Sequence, residues 1–315
     1  MTAAPLSRAL GPLASGLRVA ALLALTATGL TAQVSLQSLR PALEARIAKH
    51  HGTVGLGLLD PKTGESLAIR GDETFPTASV IKVSVLLTLF HRVQDGKLHL
   101  DDPIWMVQAD QMPGSGILQL FRTPHQLTLE DAAEFMISQS DNTGTNLVLD
   151  KVGIRNVNNY ADSLGFHHTR IWAKVFQRAG TTIEPDSSKK YGLGVTTPLE
   201  MARMLALIYK GEAVSPDASM RMNKMLLDQA WGTDEIPRYL PPDVKVAHKT
   251  GSEDDVRNDV AIVYAPARDY VLTIFTKDNT DKTWRIDNEA ETLMADLGKV
   301  VYDALAGGAR HADAH

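Results

Sequence analysis

The 315-residue chain contains no cysteine. That single absence excludes disulfides, thiolate zinc sites, iron–sulfur clusters and cysteine nucleophiles. A basic block is missing too: 32 Lys and Arg stand against 37 Asp and Glu, a net charge of −5. Such a balance is poorly suited to gripping nucleic acid by its phosphates. After the first thirty or so residues no apolar run approaches the roughly 20 residues that cross a bilayer. G-x-S-x-G, a Walker loop, G-x-G-x-x-G and H-E-x-x-H are all absent, and Gly55-Leu56-Gly57 stops short of the third. The ten histidines include the adjacent pairs His50-His51 and His167-His168, with no carboxylate framework around them, so no metal site or other cofactor is expected. No internal repeat or low-complexity tract occurs. What remains is 44% hydrophobic and 22% charged, an ordinary globular balance.

Residues 1–32 read as an export signal. They hold Arg8 and Arg18 and no acid, the first acid being Glu44, and a twelve-residue apolar run, Val19 to Leu30, ends in small residues with Ala32 before Gln33. The same pattern also fits an uncleaved anchor. Its removal leaves 30 basic against 37 acidic residues, −7, in a periplasmic or secreted protein, expected to be a monomer.

Patterning in residues 33–315 gives an element order. Leu36 to His51 reads as a helix, Thr53–Asp60 as a strand, Asp60-Pro61-Lys62-Thr63-Gly64 as a turn, and Ser66–Arg70 as the return strand. Helices then dominate. Thr128-Leu129-Glu130-Asp131 is a capping box, Thr197-Pro198-Leu199-Glu200 is a second start signal with Gly211 as its stop, and Ser215-Pro216 is a third. Strand patterns return at Val244–His248, Val260–Tyr264 and Tyr270–Thr276, and a last helix runs from about Asp287 to Ala306. Strands from both ends must pair into one antiparallel sheet carrying the terminal helices, an α+β arrangement. Residues 33–72 and 212–315 form the sheet lobe and 73–211 a helical lobe, with a cleft between them for a ligand.

Three short motifs carry the chemistry. Ser79-Val80-Ile81-Lys82 opens the apolar stretch Val80 to Val93, which puts Ser79 and Lys82 on one face of a first helical turn. There a lysine amine whose pKa is lowered by burial can take the hydroxyl proton. A second copy, Ser187-Ser188-Lys189-Lys190, lies in a polar loop. Ser140-Asp141-Asn142 comes where the helix begun at Thr128 runs out. Ser140 is placed to relay a proton to a leaving nitrogen and Asn142 to donate to a substrate carbonyl; the residues equally suit a helix cap. Lys249-Thr250-Gly251 ends a strand, whereas its other copy, Lys62-Thr63-Gly64, is turn chemistry. Lys249 and Thr250 suit a carboxylate, Gly251 permits close backbone approach, and the amides of Ser252 and Ser79 would form an oxyanion hole. Taken alone, each motif is also ordinary helix capping or strand ending. The weight lies in their order, with 61 residues from Ser79 to Ser140 and 109 from there to Lys249.

In this combination the chain resembles the class A serine β-lactamases and penicillin-binding proteins. PTASVIK, SDNTGTN around Ser140 and Asn146, VTTPLEM at 195–201 and AHKTGS carry the likeness, over roughly residues 40–306. It implies a three-layer α/β/α fold, a five-stranded antiparallel sheet with flanking terminal helices plus an all-helical lobe. It implies acylation of Ser79 by a β-lactam or a D-alanyl peptide, with Lys82, Ser140 and Lys249 handling protons. Asn142, Thr250, Gly251, Ser252 and Asn146 would bind substrate, joined by Arg257, since the family often places an arginine near there. The family also carries a deacylating glutamate on a loop. Counted from Thr169-Arg170, that slot falls near Val175, which is no base. The next acid, Glu184, sits in a Glu-Pro pair similar to the family's and is the candidate. Ala173 and Gly194 occupy the slots of the arginine–aspartate pair that closes the loop, so the loop is remodelled. The leading expectation is a β-lactam-opening hydrolase. A D,D-peptidase or esterase with slow deacylation, and a non-hydrolytic β-lactam or peptidoglycan-fragment binder, are the alternatives.

Overall fold

The computed structural model describes residues 34–306; the expected export signal and the C-terminal tail lie outside them. After a 3-10 turn, Leu36–Leu39, come α1 (Arg40–Ile47), β1 (Thr53–Leu59) and β2 (Ser66–Ile69). The turn between the strands is held by Asp60, whose carboxylate accepts from the amides of Lys62 and Thr63 at 2.8 and 3.0 Å. Next are β3 (Phe75–Pro76), a 3-10 turn Ala78–Ile81 and α2 (Lys82–Gln94). β4 (Pro103–Met106) pairs with β5 (His125–Thr128), and α3 (Leu129–Ser138), α4 (Asn142–Val152) and α5 (Ile154–Ser163) follow. β6 (Arg170–Ile171), α6 (Arg178–Thr181), α7 (Pro185–Tyr191) and β7 (Gly194–Thr196) make up a loop and its neck. α8 (Pro198–Lys210), α9 (Pro216–Leu227), β8 (Lys245–Glu253), β9 (Val256–Tyr264), β10 (Tyr270–Lys277) and α10 (Glu289–Leu305) complete the chain.

The signals read from the sequence act where expected. Thr128 and Asp131 cap each other's amides at the start of α3, the Thr197 side chain accepts from Glu200 N–H at α8, and Ser215 does the same for Ala218 at α9. Gly211 ends α8 in the left-handed region, φ 77°.

The five-stranded sheet has the order β2-β1-β10-β9-β8, antiparallel throughout. Strands from both ends of the chain therefore meet at the β1–β10 pair. One face is covered by α1 and α10, through Leu43, Leu56, Leu272, Met294 and Val301. The other packs Val260, Ile262 and Phe275 against α8, α9 and the helical block. This gives the expected three layers. The segmentation read from the sequence places α8 in the helical lobe; here it lies on the sheet, where Thr273 Oγ1 donates to Pro198 O at 2.9 Å. Every residue of α2 from Lys82 to Phe90 is buried. A helix enclosed on all sides keeps its one lysine out of water, which sets up the chemistry below.

Candidate active site

Ser79 lies in the 3-10 turn rather than in the first turn of the α-helix. In a 3-10 turn residues three apart eclipse, so Ser79 and Lys82 still point the same way. Ala78, just before, has φ 44°, a left-handed conformation that a side chain adopts only at a cost. The turn is tied down by Thr77 N–H donating to Gly194 O and Val80 N–H to Thr77 O, both 3.0 Å.

The fully buried Lys82 side-chain nitrogen reaches the second motif. Nζ donates to Ser140 O at 2.6 Å, to Asn142 Oδ1 at 3.1 Å and to Ser140 Oγ at 3.3 Å. Burial holds its pKa well below the ordinary lysine value; the Lys249 charge adds to this and Asp141 opposes it. Helix capping in this motif falls to the middle residue. Asp141 accepts from Gly144 N–H at 2.9 Å and from the amides of Ile117 and Leu118 at 2.7 and 2.8 Å. Ser140 and Asn142 are thereby left to Lys82, Ser140 with φ 49°.

The third motif arrives on β8, the sheet edge. A Cβ on Gly251 would lie 2.5 Å from Thr77 O, 2.8 Å from Val80 N and 2.9 Å from Ser79 N, all backbone atoms. Only glycine lets this strand rest against the turn that bears Ser79. Ser252, next in line, borders the same cleft as Ser79. Lys249 is fully buried and donates to Thr250 O at 2.9 Å. Burial lowers its pKa to about 7, with Glu235 and Asp259 opposing the fall. Thr250 Oγ1 accepts from Gln229 at 3.2 Å. Residues far apart in the chain thus meet around a cleft of about 930 Å³, whose walls include Ser79, Asn142, Val175, Phe176, Ser252 and Trp284.

The remaining expectations fare differently. Asn146 faces the loop, not the cleft: its side chain donates to Val175 O at 3.0 Å and accepts from Val175 N–H at 2.9 Å. It holds the loop by its backbone. The neck, lacking the family's ion pair, is closed by the β6–β7 ladder and by Asn158, which bonds both N–H and C=O of Ile171 at 2.8 and 3.0 Å. Glu184 is an exposed residue at the start of α7 and is not among the residues lining the cleft. It opens a helix started by Pro185, and the second Ser-x-x-Lys copy forms that helix rather than a loop. Arg257 is fully buried. Its guanidinium donates to Glu291 at 3.0 Å, to Thr283 O at 2.8 Å and to the carbonyls of Val256 and Glu253, and lies under the Trp284 ring. Its charge is committed to Glu291 and to main-chain carbonyls rather than offered to the cleft.

Reading the sequence alone missed three contributors. Phe176, at φ 55° and exposed, lines the cleft, and nothing in its local pattern signals that. Trp284 forms part of the opposite wall. Glu235 is a buried acid in a segment of turn residues, Gly232-Thr233-Asp234, that reads as solvent-facing. Among the described residues no three His, Asp or Glu converge as metal ligands, and no helix is long and apolar enough to cross a membrane.

The model of the β-lactamase enzyme family matches residues 38–305. β-Lactamase AER-1 of Aeromonas hydrophila is 27% identical over 270 residues, 84% of this chain and 85% of that protein. The crystal structure of a β-lactamase from Sphaerobacter thermophilus superposes with a TM-score of 0.75 at 31% identity, over 86% of this chain and 98% of that one. The structure of PBP-A gives 0.74 at 26%, over 86% and 97%, and a mutant of PBP-A is known as an acyl-enzyme complex with penicillin G.

Proposed function

From the premise that this chain belongs to the β-lactamase enzyme family, we propose that it is an exported serine acyl-enzyme. Ser79 is acylated by β-lactams or D-alanyl peptides, and the ester is released slowly. The observation that carries this reading is the combination found at Lys82 and Val175. A buried lysine sits three residues from the serine, bonded to Ser140 and Asn142, while the loop position gripped by Asn146 offers the cleft a valine.

Lys82, neutral because burial disfavours its ammonium, takes the Ser79 hydroxyl proton as Oγ attacks the donor carbonyl. The amides of Ser79 and Ser252 stabilise the oxyanion. On collapse the C–N bond breaks and the departing nitrogen takes a proton from Ser140 Oγ. Lys82, within 3.3 Å of that oxygen, replaces it. The proton taken from Ser79 has then crossed to the leaving group, and Lys82 is neutral again. Lys249 and Thr250 hold the donor carboxylate and Asn142 its amide. Hydrolysis needs a base for water. Val175 cannot serve, Glu184 lies outside the cleft lining, and the acids that do line the cleft, Glu253, Asp254 and Asp255, belong to the end of β8 and its turn into β9 rather than to the loop that Asn146 holds. The acyl-enzyme therefore persists, as in a penicillin-binding enzyme of the D,D-peptidase kind.

Intact-protein mass spectrometry after brief exposure to benzylpenicillin tests this. One adduct per chain, lasting many minutes and absent from Ser79→Ala, is expected. Sustained turnover of a chromogenic cephalosporin with no adduct would refute slow release and restore the β-lactamase reading that the relatives' names favour. Neither adduct nor turnover would refute the acyl-serine reading itself.

A further inference from the structure

Two aromatic rings border the cleft and have no part in the steps above. Phe176 is 64% exposed and Trp284 66%, and both line the cavity that holds Ser79 and Ser252. A lone exposed apolar side chain needs no explanation, but two in one concave site, each fixed in place, call for one. Phe176 stands on a turn that is fastened on both sides. Asn146 bonds the N–H and C=O of Val175, Lys174 N–H donates to Thr181 Oγ1 at 2.9 Å, and Gln177 N–H donates to Lys174 O at 3.3 Å. Within that turn Phe176 takes φ 55°, a left-handed conformation that is unfavourable for a bulky side chain. A ring left mostly in water gains little burial to offset the strain. Its edge rests over Gly114: a Cβ built on that glycine would lie 3.4 Å from Phe176 Cε2, 3.6 Å from Cζ and 3.0 Å from Asn142 Nδ2. Phe176 is therefore a neighbour of the side chain that holds the donor's amide, on the way taken by whatever that amide carries.

Trp284 is held by the buried Arg257. The guanidinium carbon lies 4.3 Å from its ring centroid, and Nη2 donates at 2.8 Å to Thr283 O, the carbonyl that precedes the tryptophan. Asn288 donates to the same carbonyl at 3.0 Å. Arg257 is itself pinned by Glu291 at 3.0 Å. The cation occupies one face of the indole, so the exposure belongs to the rest of the ring. Both rings are thus set in position by contacts other than with each other, and both keep apolar surface open to the cleft.

We propose that Phe176 and Trp284 are specificity-determining residues of the cleft: they take the acyl side chain of the donor against their open surfaces, and the donors they select carry an aromatic ring there. The proposal deepens the acyl-serine reading and rests on it. Aromatic surfaces already held in place bind with little further ordering cost. Ring on ring also adds to apolar burial when centroids come within about 4.5–7 Å, edge-on or offset. A saturated ring of similar size brings the burial without that addition, and a methyl group brings little of either.

The test uses the full chain and penicillins that differ only in the acyl side chain: phenylacetyl, cyclohexylacetyl and acetyl. Second-order acylation by each is followed by intact mass. The phenylacetyl donor should react at least about tenfold faster than the acetyl one, and at least about twofold faster than the cyclohexylacetyl one. In Phe176→Ala, and separately in Trp284→Ala, the phenylacetyl-to-acetyl ratio should fall at least about threefold, whereas Phe176→Tyr should keep it. A general structural defect slows all donors alike and cancels in the ratio. A parent indifferent between the phenylacetyl donor and either of the others would overturn the proposal, as would alanine variants whose ratios match the parent's. A ratio that rises in Phe176→Ala would overturn it too, because the ring would then be an obstacle. A parent chain that takes up no acyl group from any of the donors would instead sink the underlying reading.

Discussion

Replacing Gly251 by alanine tests the joint on which the cleft depends. The new methyl carbon would stand 2.5 Å from Thr77 O, 2.8 Å from Val80 N and 2.9 Å from Ser79 N. Real side chains essentially never approach closer than 3.0 Å, so β8 and the Ser79 turn must separate by about half an ångström or more. No flexible side chain is there to yield, because all three neighbours are backbone atoms. The displacement falls on the two amides that would hold the oxyanion, those of Ser79 and Ser252. Losing one such donor costs about 10²–10³ in rate, and a misplacement of about 1 Å costs about 10². The second-order rate of acylation by a fluorescent penicillin should therefore fall by about 10² in Gly251→Ala. The thermal midpoint should drop only by an amount fitting an overpacking cost of about 1–3 kcal/mol. A variant that is acylated within threefold of the parent rate would refute the reasoning, since it would mean that β8 can move away without disturbing the oxyanion site.

Lys82→Arg should abolish acylation, by about 10³ or more, because a guanidinium stays protonated where the lysine, pushed down by burial, gives up its proton. In the parent, acylation should rise with pH as Lys82 is deprotonated, over a range well below the ordinary lysine value, and a fluorescent-penicillin rate profile reads both. Val175→Glu places a carboxylate at the cleft wall and should speed loss of the acyl group at least tenfold, seen as continuous cephalosporin turnover. Asp141→Ala leaves three amides without their acceptor. It should cost on the order of 3 kcal/mol, a fall in Tm of roughly 5 °C by calorimetry.

Much of this architecture can be read from the residues. β9 and β10 announce themselves as runs of Val, Ile, Leu and Phe, and α3, α8 and α9 by caps that bond as their residue types require. Two of the three motifs are legible because they lie at an element's start, where local chemistry is specific; Lys249-Thr250-Gly251, expected to end a strand, lies inside β8, which runs on to Glu253. The short pairs β3, β6 and β7 escape notice because two or three residues carry no period. Arg257 misleads because its neighbours in sequence say nothing of Glu291, 34 positions on, which claims its charge. Glu184 misleads through its Glu-Pro spelling, which in this chain serves to start α7. Asn146 looks like a cleft residue until its amide is seen to be used up on both main-chain groups of one residue, Val175.

That last contact has a consequence for how the protein can be altered. Asn146 grasps residue 175 by main-chain atoms alone. The grip is indifferent to which side chain is mounted there, so the position behaves as a socket: the fixture stays put while the part is exchanged. Whether a captured acyl group is stored or discarded could then change with a single plug-in residue, leaving the rest of the machine untouched.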